Sequence, residues 1–146
     1  WDLLPSLTYT GRLDDWSWGA QFNGVKRLEK QNKSGYALGD IFQTSAWGGY
    51  SLTSWLSTTV RGIYTVQGSI KGDFNKSNGR SGPMDFPANY GGKFWDVGLG
   101  VNMTVPSGNL AGNSLSFEWI EPIKDDVNGF QLEREGSLSA SWSYTF

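Results

Sequence analysis

The chain has no cysteine and no histidine among its 146 residues. The first absence excludes disulfides and thiolate metal sites. The second excludes a Ser–His pair or a histidine-assisted base within these residues. No run of apolar residues comes near the ~20 that a membrane-spanning helix requires. Nor is one charge in excess. Twelve basic residues face fourteen acidic ones, a net charge of −2, so there is no basic field for nucleic acid. With a mean hydropathy of −0.41, these numbers alone describe a soluble β protein.

What is present argues otherwise. Aromatics make up 15% of the residues, with eight Trp, eight Phe and six Tyr, beside 20 glycines. Ser and Thr recur at alternate positions. This mixture suits an outer-membrane barrel, which carries aromatic girdles at both interfaces and small or polar side chains inside. A closed hydrogen-bonded sheet also needs no disulfide.

The periodicity is sharpest at the C-terminus. Leu138, Ala140, Trp142, Tyr144 and Phe146 alternate with Ser137, Ser139, Ser141, Ser143 and Thr145, a period of two that predicts a strand. A soluble sandwich strand can alternate too. The final Phe146, preceded by Tyr144 and Trp142, has the form of the signal read by the outer-membrane assembly machinery. Upstream, Trp95, Val97, Leu99, Val101, Met103 and Val105 oppose Asp96, Gly98, Gly100, Asn102 and Thr104. Leu115, Phe117 and Trp119 oppose Ser114, Ser116 and Glu118. Leu56, Thr58, Val60, Tyr64 and Val66 oppose Ser57, Thr59, Arg61, Thr65 and Gln67. Leu7, Tyr9 and Leu13 oppose Ser6, Thr8, Thr10 and Arg12, and Trp16, Trp18, Ala20 and Phe22 oppose Ser17, Gly19, Gln21 and Asn23. Between Tyr36 and Tyr50 the pattern is weaker: Phe42, Ala46 and Tyr50 on the lipid side would leave Trp47 facing inward.

These segments predict about seven strands of a transmembrane antiparallel up-and-down β-barrel, at the ~9–11 residues a tilted strand needs. Short turns at 13–15, 52–54 and 107–109 alternate with longer charged connections at 29–35, 71–92 and 124–129. Short periplasmic turns and long extracellular loops are the barrel rule, and they place Phe146 on the periplasmic side. Single-chain bacterial barrels have even strand numbers. Residues 1–146 are therefore expected to be the C-terminal part of one barrel domain. The N-terminal strands would lie upstream or on a companion chain. The opening Trp-Asp-Leu-Leu has no signal-peptide form, so a signal was either cleaved or lies on that upstream part.

Several stretches resemble the outer-membrane proteins labelled the MetA-pathway phenol-degradation family. They are Phe117-Glu-Trp-Ile-Glu-Pro-Ile, Asp126-Val-Asn-Gly-Phe-Gln-Leu-Glu-Arg and the closing Ser-Trp-Ser-Tyr-Thr-Phe. Tyr90-Gly-Gly with Asp96-Val-Gly-Leu-Gly-Val-Asn is similar to that family's penultimate hairpin, and Gly35-Tyr-Ala-Leu-Gly-Asp, Ala46-Trp and Trp55-Leu-Ser are similar too. Members are longer than this chain, in keeping with strands upstream. The resemblance implies passage of small, hydrophobic or aromatic molecules across the outer membrane.

On this register Arg12, Arg61, Asp96, Asn102 and Glu118 point into the lumen, with Gln21, Asn23 and Arg27. They form either a polar wall that sets size and charge selectivity or a paired network that plugs a narrow barrel. A charge facing lipid would cost ~2–4 kcal/mol at the midplane, which is why they are placed inside. Gly98 and Gly100 relieve crowding beside Asp96, and Trp16, Trp18, Trp95 and Trp119 serve as interface anchors. The 71–92 connection, with Pro83, Phe86 and Pro87, reads as a mobile surface loop or, alternatively, as an inward constriction or latch. Asp125-Asp126-Val-Asn-Gly lacks the terminal Glu of a calcium loop and reads as a solvated extracellular turn. Outer-membrane phospholipases, acyltransferases and omptin-like proteases resemble one another in using a catalytic His, which this chain lacks. The expectation is a passive, non-enzymatic outer-membrane channel without cofactor or metal, its partners lipid, the assembly machinery and the remaining strands. The alternative is a scaffolding barrel that holds or sheathes a periplasmic or electron-transfer partner.

Overall fold

The computed structural model describes residues 1–75, 79 and 81–145. Phe146 of the expected assembly signal lies outside them. Ten strands run in chain order: β1 (Asp2–Leu3), β2 (Ser6–Leu13), β3 (Trp16–Arg27), β4 (Tyr36–Ala37), β5 (Ile41–Ser51), β6 (Leu56–Gln67), β7 (Lys71–Gly72), β8 (Gly92–Thr104), β9 (Asn113–Val127) and β10 (Ser137–Tyr144). Eight of them form one antiparallel up-and-down sheet, and β4 pairs with β7 in a small separate ribbon. Among the described residues no helix is long and apolar enough to cross a membrane.

β1 and β2 occupy one position beside β3, since Asp2 pairs with Arg27 and Ser6 with Asn23. The interruption falls at Pro5, which has no N–H to give. Its carbonyl still accepts a hydrogen bond from Gly24 N–H at 2.8 Å. A β-carbon at Gly24 would lie 2.9 Å from the Pro5 ring, so the glycine is what lets the kinked strand stay docked. The sheet is thus seven strand positions wide, as the periodicity predicts.

The hairpins follow local chemistry. Asp14 takes φ 51° in the two-residue turn between Leu13 and Trp16, a left-handed conformation that aspartate tolerates. At the next turn, Thr53 Oγ1 accepts hydrogen bonds from the backbone N–H groups of Trp55 and Leu56.

Two elements differ from the sequence expectation. The stretch from Tyr36 to Tyr50 is not one strand, because Tyr36–Ala37 leaves the main sheet to pair with Lys71–Gly72. In addition, β9 runs on to Val127, so Lys124, Asp125 and Asp126 belong to a strand rather than to a solvated turn. A bulge makes this possible. Trp95 pairs with Lys124 but Asp96 pairs with Pro122, leaving Ile123 as the extra residue. Bulges are where a proline fits a strand, and the extra residue moves Asp125 onto the same face as Asp96.

Cross-strand pairing sorts the side chains into two faces. One row on the apolar face reads Trp18, Gly48, Val60, Leu99, Trp119 and Leu138. A row on the other reads Arg12, Ser17, Gly49, Thr59, Gly100, Glu118 and Ser139. The register places Phe42, Ala46 and Tyr50 on the apolar face and Trp47 on the polar one, as the alternation in that segment requires.

The burial is inverted relative to a water-soluble domain. Leu99 on the apolar face is 58% exposed, whereas Asp96 on the polar face is 8% exposed. Phe94 is the buried hydrophobic residue among those described, beside buried Ser45 and Asp96. A sheet with no second layer on it can bury one face only by curling around that face. The curl does not close within these residues, and β2 and β10 remain as free edges.

Candidate functional site

The polar face holds two charge clusters. In the first, Arg61 on β6 and Glu118 on β9 lie across the intervening β8, with Arg61 Nε 3.0 Å from Glu118 Oε1. The angle leaves that Nε–H without a hydrogen bond, so the contact is an ion pair only. Gly98 and Gly100 provide the passage between them. A β-carbon at Gly98 would sit 3.0 Å from Glu118 Oε1 and 3.4 Å from Arg61 Cβ, and one at Gly100 would run into Thr59 Oγ1. The Arg61 guanidinium also lies 5.9 Å from the centre of the Trp47 ring, within cation–π range. Trp47 in turn covers Gly19, where a β-carbon would collide with its indole. Arg61, Glu118, Trp47, Asn102, Ser139 and Ser141 help line a polar cavity of about 310 Å³.

The second cluster is one that sequence reasoning missed. Arg134, in the connection between β9 and β10, reaches Asp96 Oδ1 at 2.6 Å and Asp125 Oδ1 at 2.5 Å through Nη2. Its Nε also donates to both Asp125 oxygens at 3.1 Å, and the guanidinium stacks 4.6 Å from the Phe94 ring centre. The bonds to Asp125 first, and to Asp96 second, raise the Arg134 pKa above its ordinary value, so the side chain is a permanent cation. Nothing periodic marks Arg134 in the sequence. The only available cue is an Arg in an otherwise unpatterned segment, nine residues past Asp125.

The remaining expected lumen residues share the polar face but not these clusters. Asn23 accepts a hydrogen bond from Ser6 Oγ at 2.8 Å, and Gln21 lies beside Ser45. Arg12 folds back toward the Asp14 carbonyl at the short-turn end, 3.4 Å away. Arg27, at the opposite end, pairs with Asp2, and its backbone N–H donates to Asp40. Of the residues expected to form an assembly signal, Trp142 and Tyr144 are exposed on β10, with Trp142 Nε1 donating to Asn113 at 2.8 Å.

At the long-loop end the 71–92 connection is folded through its described C-terminal half. It makes two 3-10 turns, Pro83–Asp85 and Pro87–Asn89. Asp85 accepts from the N–H groups of Ser81 and Gly82, and Tyr90 Oη donates to the Met84 carbonyl at 2.8 Å. Asn128 and Gln131, from the next long connection, donate to the carbonyls of Tyr90 and Gly91. That half is folded on itself and joined to the next connection at Tyr90 and Gly91.

No family model, curated protein or solved structure matches this chain. The likeness to the phenol-degradation family therefore rests on the residues quoted for it.

Proposed function

We propose that this chain is part of an outer-membrane β-barrel that passes small molecules, without cofactor and without catalysis. The observation that carries the reading is the inverted sheet. Large apolar and aromatic side chains stand exposed on one face, while Ser, Thr, Asn, Gln and paired charges fill the other. An apolar surface of this extent is unstable in water and stable against lipid. Ring pairs sit toward both ends of it: Trp16 with Tyr50 near the short turns, Phe22 with Phe42 and Tyr64 with Trp95 near the long connections. They are about 20–26 Å apart along the strands at ~3.3 Å per residue, against an apolar band about 25 Å tall.

The free edges support strands beyond these residues. Six successive antiparallel pairings separate β2 from β10, so both edges run in the same direction. An up-and-down barrel then needs an odd number of further strands to close with antiparallel neighbours throughout. These would come from the rest of the same protein or from a companion chain, inserted by the assembly machinery. Resemblance to the phenol-degradation family favours hydrophobic or aromatic permeants.

The test is conductance of the purified, folded, full-length protein in planar bilayers. Arg61→Ala leaves Glu118 unpaired and should shift selectivity toward cations, and Glu118→Ala should shift it toward anions. Absence of current overturns the channel. The second reading, a plugged scaffolding barrel for a periplasmic or electron-transfer partner, draws on the mutual pairing of Arg61 with Glu118 and of Arg134 with Asp96 and Asp125. It expects silent bilayers and a stably folded barrel.

A further inference from the structure

Two of the long connections meet and leave a hollow between them. Pro83, Met84 and Tyr90 from one side and Phe130 and Leu132 from the other line a cavity of about 540 Å³, within the size range of small-molecule sites. Its two amide side chains are engaged internally. Asn89 Nδ2 donates to the Pro83 carbonyl at 2.8 Å, and Gln131 Nε2 donates to the Gly91 carbonyl at 2.5 Å. The lining offered to an occupant is therefore apolar and aromatic.

Hydrogen bonds join the two connections at one side of the hollow. Tyr90 Oη is bound to the Met84 carbonyl, Asn128 N–H to the Gly91 carbonyl, and Asn128 Nδ2 to the Tyr90 carbonyl. Gly129, at φ 71°, lets the second connection close against Asn89, where a β-carbon would collide. Yet Phe130 is 80% exposed and Leu132 94% exposed. Apolar side chains left uncovered at the rim of an apolar hollow are the arrangement of a site awaiting an apolar occupant.

We infer that this hollow binds a free, small, apolar molecule of an alkylbenzene's size or larger. A bilayer chain is the weaker candidate. On the apolar face, the row nearest this end carries Lys93, Asp126 and, one step in, Lys124, so an acyl chain would have to cross a charged fringe. The inference goes beyond the channel reading and stands apart from it. Bilayer current tests one, and occupancy of the hollow tests the other.

The sequence supplies its own reporters. It has two methionines: Met84 lines the hollow, and Met103 lies on the apolar face in the row of Leu56 and Leu115. The full-length protein, labelled with ¹³C at the methionine methyls and held in lipid nanodiscs, is titrated with toluene. Met84→Leu and Met103→Leu identify these two signals among those of the whole protein. Met84 should shift along a saturable curve while Met103 drifts only linearly as toluene dissolves in lipid. Phe130→Ala and Leu132→Ala should each weaken the saturable curve, roughly fivefold or more for the aromatic change. Both residues are exposed, and an unchanged Met103 signal verifies the fold of each variant. A Met84 response that stays linear in step with Met103 overturns the site. A saturable response that neither substitution alters overturns its location. Contacts from Met84 to lipid methylenes before toluene is added would replace the free molecule with a bilayer chain.

Discussion

Arg61 and Glu118 meet across a strand that separates them, and they do so because the residue between them is Gly98. The ion pair at 3.0 Å crosses β8 where any β-carbon would press on both partners. The glycine is a condition of the pair, which makes the site sensitive to a residue that carries no chemistry of its own.

Gly98→Val should therefore destabilise the folded protein by about 1–3 kcal/mol, the usual cost of overpacking. Gly62 is the control. It lies on the apolar face with nothing within 4 Å of its virtual β-carbon, so Gly62→Ala should be neutral or stabilising by up to about 1 kcal/mol. Urea titration of protein refolded into lipid vesicles compares them. Equal effects at both positions would mean that the passage at Gly98 is not tight.

Much of this arrangement was legible in the sequence. Alternation from Leu56 to Gln67, from Phe94 to Thr104 and from Ser137 to Tyr144 placed the strands, their register and the polar side of Arg61, Asp96 and Glu118, because a half-polar sheet writes a period of two. The Ile123 bulge was not legible. One unpaired residue reverses the parity of everything after it, and from Lys124 onward the broken alternation looks like the end of a strand. Arg134 was hidden for a related reason: its partners lie on two strands, and its own segment has no period to say where it points. The β4–β7 ribbon joins only Tyr36–Ala37 to Lys71–Gly72, too short for any pattern to announce.

The two faces should respond oppositely to charge. Leu99→Arg places a cation in the middle of the apolar face, where contact with lipid costs about 2–4 kcal/mol. Ser139→Lys, one register row away on the polar face beside Glu118, should fold nearly as well as the parent. Heat-modifiable gel migration after refolding into vesicles reads both. A parent that folds without detergent or lipid, or a Leu99→Arg protein that folds as readily as Ser139→Lys, would contradict a lipid-facing surface.

Asp40 gives the pH dependence of the long-loop end. Lys26 Nζ approaches its Oδ2 at 2.6 Å and the Arg27 N–H approaches Oδ1 at 2.8 Å. The hydrogen bond from Lys26 foremost, and that from Arg27 next, hold its pKa below the ordinary aspartate value. A depressed carboxyl stabilises the fold above its unfolded pKa, and this contribution is lost as pH falls through the folded value. At pH 7, Asp40→Asn should speed hydrogen exchange at the Arg27 amide. Below the folded pKa, once the carboxyl is protonated, parent and variant should behave alike. A difference that persisted there would assign the effect to shape rather than charge.

Arg134 holds the β9–β10 connection to the polar face through two carboxylates at once, and this bridging sets the order of its variants. Arg134→Gln breaks both links. Arg134→Lys offers a point charge that cannot span Asp96 and Asp125 with the planar geometry seen here. Asp125→Asn leaves the Asp96 contact at 2.6 Å in place. The side chain is about one-third exposed, so solvent screening keeps the local loss near 1 kcal/mol for Arg134→Gln. Amide exchange over residues 128–136 should quicken most for Arg134→Gln, less for Arg134→Lys and least for Asp125→Asn, with global unfolding little changed. If the whole protein forms the proposed channel and the connection narrows it, single-channel current should rise in the same order. Exchange that quickened equally in all three would show that the clasp acts through one carboxylate alone.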